Sequence, residues 1–256
     1  MQIIIPMTGL GSRFKNAGYE ELKPMIQVGG KSIIDWVTNI FDKQEDDFVL
    51  ICQTKHIEDG LLNLEYLKSL GANVKIIQVN EWKKLGPAYE ILLIEDVLSS
   101  SEECIISYCD YFVDWDYKLF LKKIKNENFA GAIPCYQGFH PHLLDLTHLY
   151  AACKTDNNDQ LITIKEKHTW HKDITKNKYS PGIYYFRDKM AMFRALKKMV
   201  DCNDAINKEF YVSLIYNYLE KGSRVWCPTN IKFFCQWGTP QDLREYIKWE
   251  DYLNNL

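Results

Sequence analysis

Apolar residues in the first half of the chain fall into short runs separated by stretches of helical spacing. Residues 2–6 form an apolar run that ends in a polar, glycine-containing loop. Ile33, Val37, Ile40 and Phe41 share one face at helical spacing. A second run covers residues 48–52, and a helix is expected over 57–70, closed by Gly71. Residues 73–79 alternate as a strand, 89–98 read as a helix, 105–109 as a strand, 117–125 as a helix and 130–135 as a strand. The alternation suits βαβ units and a mainly parallel sheet with helices on both faces.

The second half is less regular. Residues 161–165, 182–186 and 231–235 read as strands, and 189–199 and 209–219 as helices, with Gly222 placed to end the second. Gly238-Thr239-Pro240 opens a last helix, with Thr239 as N-cap and Pro240 at its first position. Tyr246, Trp249 and Tyr252 recur in that helix at a spacing of three, which is read as core packing. There is no internal repeat or obvious linker. One α/β domain over residues 1–256 is expected, with a Rossmann-like mixed sheet, a first half of about 1–135 and a second of about 136–256.

Composition changes this picture little. The chain is 46% hydrophobic and 25% charged, with a net charge of −3, so no general positive field for nucleic acid is present. No window approaches the roughly 18 apolar residues of a membrane span, and no leader pattern opens the sequence, so a cytoplasmic location is expected. Eight cysteines without a Cys-x-x-Cys pair read as reduced, mostly buried thiols.

Chemistry enters at the first strand-to-helix junction. The loop Thr8-Gly9-Leu10-Gly11-Ser12-Arg13 offers backbone N–H groups and a fork-shaped cation to phosphate, at the carboxyl end of a strand where α/β sheets bind ligands. Shortly after comes Leu22-Lys23-Pro24-Met25, where Pro24 is expected to hold Lys23 extended and ready for a polyphosphate.

Together, Gly-Leu-Gly-Ser-Arg and Leu-Lys-Pro-Met resemble the N-terminal signature of the sugar-phosphate nucleotidylyltransferases. Further segments resemble that family in order: Leu85-Gly86-Pro87-Ala88, Ile106-Ser107-Tyr108-Cys109-Asp110, Ile164-Lys165-Glu166-Lys167, Ser180-Pro181-Gly182-Ile183-Tyr184-Tyr185-Phe186, Glu209-Phe210-Tyr211 and Trp237-Gly238-Thr239-Pro240. The resemblance implies an α/β nucleotide-diphospho-sugar transferase fold and transfer of NMP from an NTP to a phosphorylated acceptor, with release of pyrophosphate. Arg13, Lys23 and Asp110 become the catalytic candidates, with Asp110 holding Mg²⁺. Thr8, Gly9, Leu10, Gly11, Ser12, Gln78, Gly86 and Pro87 become nucleotide-binding candidates, and Glu166, Lys167 and Tyr185 acceptor-binding ones. The whole chain is most similar to bacterial capsule-type cytidylyltransferases, of the CTP:phosphoglutamine kind, which implies CTP as donor. Neither a nucleic acid nor a membrane partner is expected.

The chain departs from the family pattern in three places. Gln236 stands where an aspartate commonly supplies a second metal ligand, His168 replaces the proline after Glu-Lys, and Thr169-Trp170-His171-Lys172-Asp173 matches no landmark. Three other readings compete. His140, His142, His148, Cys135, Cys153, His168 and His171 raise a zinc site, but their spacing does not supply a tetrahedral set. Asp114-Trp115-Asp116 has the Asp-x-Asp form of glycosyltransferases, against its reading as a loop that caps the next helix. Gln236 also keeps open a nucleotide sensor without turnover.

Overall fold

The computed structural model describes residues 1–80, 83–98, 102–144 and 150–255. Its centre is a seven-stranded mixed sheet in the order Val225–Trp226, Gly131–Ala132, Ile183–Phe186, Cys104–Ser107, Gln2–Pro6, Asp47–Gln53, Asn73–Val79. Gln2–Pro6 runs parallel to both of its neighbours, and Asp47–Gln53 parallel to Asn73–Val79. Ile183–Phe186 is antiparallel to the strands on either side. Strands from both halves of the sequence thus share one sheet.

The strands read as continuous apolar runs because both sheet faces are covered. Ile3 and Ile5 pack into one fully buried cluster with Leu50, while Ile4 packs into the other with Val49 and Ile51. Burial of side chains of this size contributes about 1.5–3 kcal/mol each. Outside the main sheet, Tyr111–Trp115 pairs antiparallel with Ile231–Gln236, so that Gln236 lies opposite Tyr111. A three-stranded sheet, with Ala152–Thr155 between Leu161–Lys165 and Lys178–Tyr179, stands at the other side of the cleft.

The helix expected over 57–70 is two short helices, Thr54–Glu58 and Leu64–Lys68. Gly60 at φ 72° interrupts it, and Asn63 restarts it by accepting from the Tyr66 N–H at 3.0 Å. The stretch over 89–98 likewise divides into Pro87–Leu92 and Glu95–Leu98. Over 209–219 the chain forms a 3₁₀ helix, Val212–Tyr218, rather than an α-helix. Tertiary hydrogen bonds hold that tighter winding: the Asn217 amide accepts from Ile164 N–H at 3.1 Å and donates to Ile164 O at 2.9 Å.

Asp114 lies on a strand rather than in a loop, whereas Asp116 does cap the following helix, accepting from Leu119 N–H at 2.8 Å. Thr239 caps the helix Pro240–Asn254 in a reciprocal capping box with Asp242. On that helix only Tyr246 packs inward, edge-on to Trp237 at 5.4 Å; Trp249 and Tyr252 are 66% and 58% exposed. A step of three residues turns an α-helix by about −60°, so a stripe at that spacing leaves the buried face within two steps. Among the described residues, no helix is long and apolar enough to cross a membrane.

Candidate active site

Five segments that are distant in sequence meet around a cavity of about 410 Å³ at the carboxyl end of the parallel strands. Arg13, Lys23, Asp110, Glu166 and Lys167 all line it. Arg13 comes from the short helix Ser12–Asn16, which Gly11 starts in the left-handed region at φ 59°. Lys23 opens the 3₁₀ turn Lys23–Met25, and the extended residue is Leu22, not Lys23. The expected extension at Lys23 thus falls one residue earlier, because Pro24 sits inside a single tight turn and there is no continuing helix for its ring to clash with.

Asp110 immediately precedes Tyr111–Trp115, and its carbonyl accepts from Trp237 N–H at 2.8 Å. That bond registers the end of the antiparallel pair, bringing Gln236 and Gly238 to the same rim. A Cβ at Gly238 would stand 3.5 Å from Asp110 Oδ2.

Lys23 Nζ donates to Asp110 Oδ2 at 2.8 Å, with the two side chains 23% and 27% exposed. Burial works against the lysine's charge, but Asp110, aided by Cys109, overcomes it and holds the Lys23 pKa above its ordinary value. Glu166 has the opposite problem: desolvation raises its carboxyl to about 7, despite a hydrogen bond from Ser213 and the nearby Lys167 charge. Lys167 itself is held at φ 51°, a left-handed conformation that turns the chain between two neighbouring cavity residues.

At Gln236, Nε2 donates to Asp242 Oδ1 at 2.9 Å, while Oε1 is buried without a partner. Asp242 Oδ2 accepts from the Thr239 N–H and hydroxyl at 3.0 and 2.7 Å. The hard oxygen donors at this rim are therefore the Asp110 carboxylate and the Gln236 amide oxygen. They fit a cation such as Mg²⁺, which keeps water and substrate phosphate in most of its shell.

The remaining nucleotide candidates sit at or near the ends of the parallel strands but do not line the Arg13–Lys167 cavity. Thr8 is buried and its carbonyl accepts from the Gln53 amide, while Gly9 and Leu10 are exposed just beyond it. Ser12 begins the first helix. Gln78 is exposed on the edge strand, opposite Cys52. Gly86 has φ 89°, and a Cβ there would meet Phe210 O at 2.6 Å and Phe210 N at 2.8 Å. Only glycine allows this approach, which is held by hydrogen bonds Phe210 N–H to Leu85 O at 2.7 Å and Ala88 N–H to Phe210 O at 3.1 Å. Pro87 then starts Pro87–Leu92.

Tyr185 does not belong with the acceptor candidates. It is fully buried on the opposite face of its strand, where its hydroxyl donates to Glu103 at 2.8 Å. Side chains alternate along a strand, and it is Tyr184 that lines the cavity. Tyr108, Tyr150, Tyr211, Ser180 and Asp242 also line it, and sequence reading did not single them out as site residues. Strand alternation would have found Tyr184, and the acidic third position of the Thr239 capping box would have found Asp242.

No metal cluster replaces this site. Among the described residues no three His, Cys, Asp or Glu side chains are grouped to hold a metal, and His148 lies outside them. The His140 Nε2 is 2.8 Å from Phe234 O, and the His168 ring packs edge-on against Trp170.

A protein family described as nucleotidyl transferase matches residues 2–251. The Bifunctional protein GlmU of Methanococcus aeolicus is 25% identical over 190 residues, which is 74% of this chain and 41% of that protein. The chain spans less than half the length of the curated relatives it matches. Among solved structures, a nucleoside-diphosphate-sugar pyrophosphorylase from Vibrio cholerae superposes with a TM-score of 0.73 at 18% identity, covering 96% of this chain and 99% of that one. A UDP-glucose pyrophosphorylase complexed with UDP-glucose gives a TM-score of 0.75 at 15% identity, covering 98% of both chains. Those two likenesses concern the fold.

Proposed function

The chain belongs to the nucleotidyl transferase family, and from that premise we propose that it transfers a nucleoside monophosphate from an NTP to a phosphorylated small molecule in the cytoplasm. The observation that carries this reading is the convergence of Arg13, Lys23, Asp110, Glu166 and Lys167 on one cavity. An acceptor phosphate oxygen attacks the α-phosphorus, the bond to the β-phosphate oxygen breaks, and pyrophosphate leaves. Because both partners are anions, the main task of the site is to neutralise and align charge.

Lys23 serves the α-phosphate, where charge shifts during transfer. Arg13 holds the departing pyrophosphate, with the backbone N–H groups of Leu10, Gly11 and Ser12. Gln78, Gly86 and Pro87 frame the base. Lys167 aims the acceptor phosphate, which is largely ionised near neutral pH and needs no general base. Asp110, with Gln236 in place of a second carboxylate, would hold Mg²⁺, which when bound neutralises phosphate oxygens and orients the donor.

For the donor we propose CTP, and for the biological setting capsule synthesis. Their support is the overall sequence resemblance, together with the altered segment after Lys167. A sugar 1-phosphate acceptor is the competing reading, favoured by the pyrophosphorylase likeness of the fold.

The test is pyrophosphate release with Mg²⁺ and each common NTP against a panel of phosphorylated acceptors. Release that needs one acceptor and is lost in Lys23→Ala supports the proposal. NTP binding without release under any pairing overturns it in favour of a nucleotide sensor.

A further inference from the structure

The acceptor end of the cavity has an unusual wall. Tyr108, Tyr184 and Tyr211 all lie close enough to Glu166 for its charge to act on their hydroxyls, and all line the same cavity. Their hydroxyls are committed to the protein. Tyr108 Oη accepts from Val212 N–H at 3.3 Å, Tyr211 Oη donates to Glu209 Oε2 at 3.1 Å, and Tyr184 Oη is bonded by Ser180. Ser180 Oγ also accepts from Gly182 N–H at 3.1 Å. What these residues leave for a ligand is aromatic ring surface.

Glu166 is the exception. Ser213 donates to Oε1, and among the described residues no hydrogen-bond donor reaches Oε2. A hexose carries several hydroxyls, each of which costs free energy if buried without a partner. A wall of tied phenols and one carboxylate oxygen satisfies few of them. The same wall suits an ammonium or alkylammonium group, which aromatic faces attract through the ring quadrupole and a carboxylate pairs directly. The cations Arg13, Lys23 and Lys167 line the rest of the cavity and suit the phosphates.

We propose that the acceptor is a phosphorylated amine, its phosphate on Lys167 and its cationic nitrogen between Glu166 and the rings of Tyr108, Tyr184 and Tyr211. This rests on the nucleotidyl-transfer reading above and names its substrate class.

The test compares phosphocholine, phosphoethanolamine and phosphoglutamine with glucose 1-phosphate and N-acetylglucosamine 1-phosphate, following pyrophosphate with the native chain and Mg²⁺. Turnover confined to the amine-bearing acceptors is the expected result. In Glu166→Gln the acceptor KM should rise by about tenfold or more while kcat stays within a few-fold, because one charge-assisted contact is lost away from the reacting atoms. Choline and tetramethylammonium, which carry no phosphate, should inhibit the unmutated protein competitively against the acceptor, and that arm does not depend on a variant folding. Turnover of the sugar phosphates alone would overturn the amine and leave nucleotidyl transfer standing. Absence of pyrophosphate with every pair would defeat the transfer reading, and this inference with it.

Discussion

Lys23 and Asp110 form an ion pair, Nζ to Oδ2 2.8 Å, across 87 residues of chain. Each thereby holds the other's charge in place before any substrate arrives. A donor nucleotide with its cation would divide the pair, taking the lysine to phosphate and the carboxylate to metal.

Lys23→Ala and Asp110→Asn are therefore expected to lower pyrophosphate release by about 100-fold or more each, the scale of losing one electrostatic stabiliser at a reacting centre. The pair is partly exposed, so its loss should cost no more than about 1 kcal/mol of stability. Steady-state rates alongside thermal unfolding test both halves. Unfolding shifted by many degrees with turnover intact would make the pair structural.

Glu166 gives a pH dependence. Its folded pKa of about 7 is raised above the ordinary 4.5. The proton-bound form is the one the empty cavity favours, so stability is full below about 4.5 and declines as pH rises toward 7. A cationic acceptor needs the carboxylate, so its KM should fall as pH rises through about 7. The surrounding Lys167, Tyr108, Tyr184 and Tyr211 keep their charge states over that range. The acceptor phosphate also ionises, near pH 6, and Glu166→Gln should retain only that component. A KM profile identical in native and Glu166→Gln chains would remove the carboxylate from acceptor binding.

Gln236→Glu should expose what the amide does. It replaces the N–H donor to Asp242 with a second carboxylate, at a contact now 2.9 Å long. Without divalent cation the variant should lose about 1–3 kcal/mol, the cost of an unpaired polar contact. Mg²⁺ should restore part of that loss and bind more tightly than to the native chain. Calorimetric unfolding with and without MgCl₂ decides it, and a cation-independent loss would remove Gln236 from the metal rim.

Gly86→Ala tests the contact behind the proposed base site. The added methyl would face Phe210 O at 2.6 Å from a backbone at φ 89°. A loss of about 1–3 kcal/mol is expected, with weaker NTP binding as the loop shifts. Unchanged denaturant midpoints would show that the loop relaxes freely.

Tyr184 and Tyr185 offer a paired control. Tyr185→Phe removes the hydrogen bond to Glu103 and should cost about 1 kcal/mol without changing the acceptor KM. Tyr184→Ala should raise that KM. The reverse pattern would put the wrong face of the strand at the cavity.

Much of this was legible because it was local. The strand Asn73–Val79 and the capped helix Pro240–Asn254 follow from alternation and cap chemistry, which involve near neighbours in sequence. The ordered motifs named Arg13, Lys23, Asp110, Glu166 and Lys167, and all five line the cavity. What stayed hidden depends on distant partners. The 3₁₀ winding of Val212–Tyr218 is stabilised by Asn217 bonding a strand 53 residues away. Tyr108 and Tyr211 matter because they flank Glu166, and no spacing rule records that. Tyr185 was chosen over Tyr184 because the motif points to a strand without saying which face of it meets the ligand.

The antiparallel course of Ile183–Phe186 has a last consequence. Its parallel neighbours reach the cleft at their ends, but this strand begins there, with Ile183 beside Ser107. The rim on that side is thus written by what comes before the strand: Ser180, Pro181 and Gly182, and behind them the segment carrying Glu166 and Lys167. Donor loops and acceptor wall occupy separate stretches of the gene. Lengthening or rewriting the connection ahead of residue 180 would change which acceptor is admitted and leave the nucleotide loop as it stands, so a lineage could trade one surface polymer for another without rebuilding the chemistry.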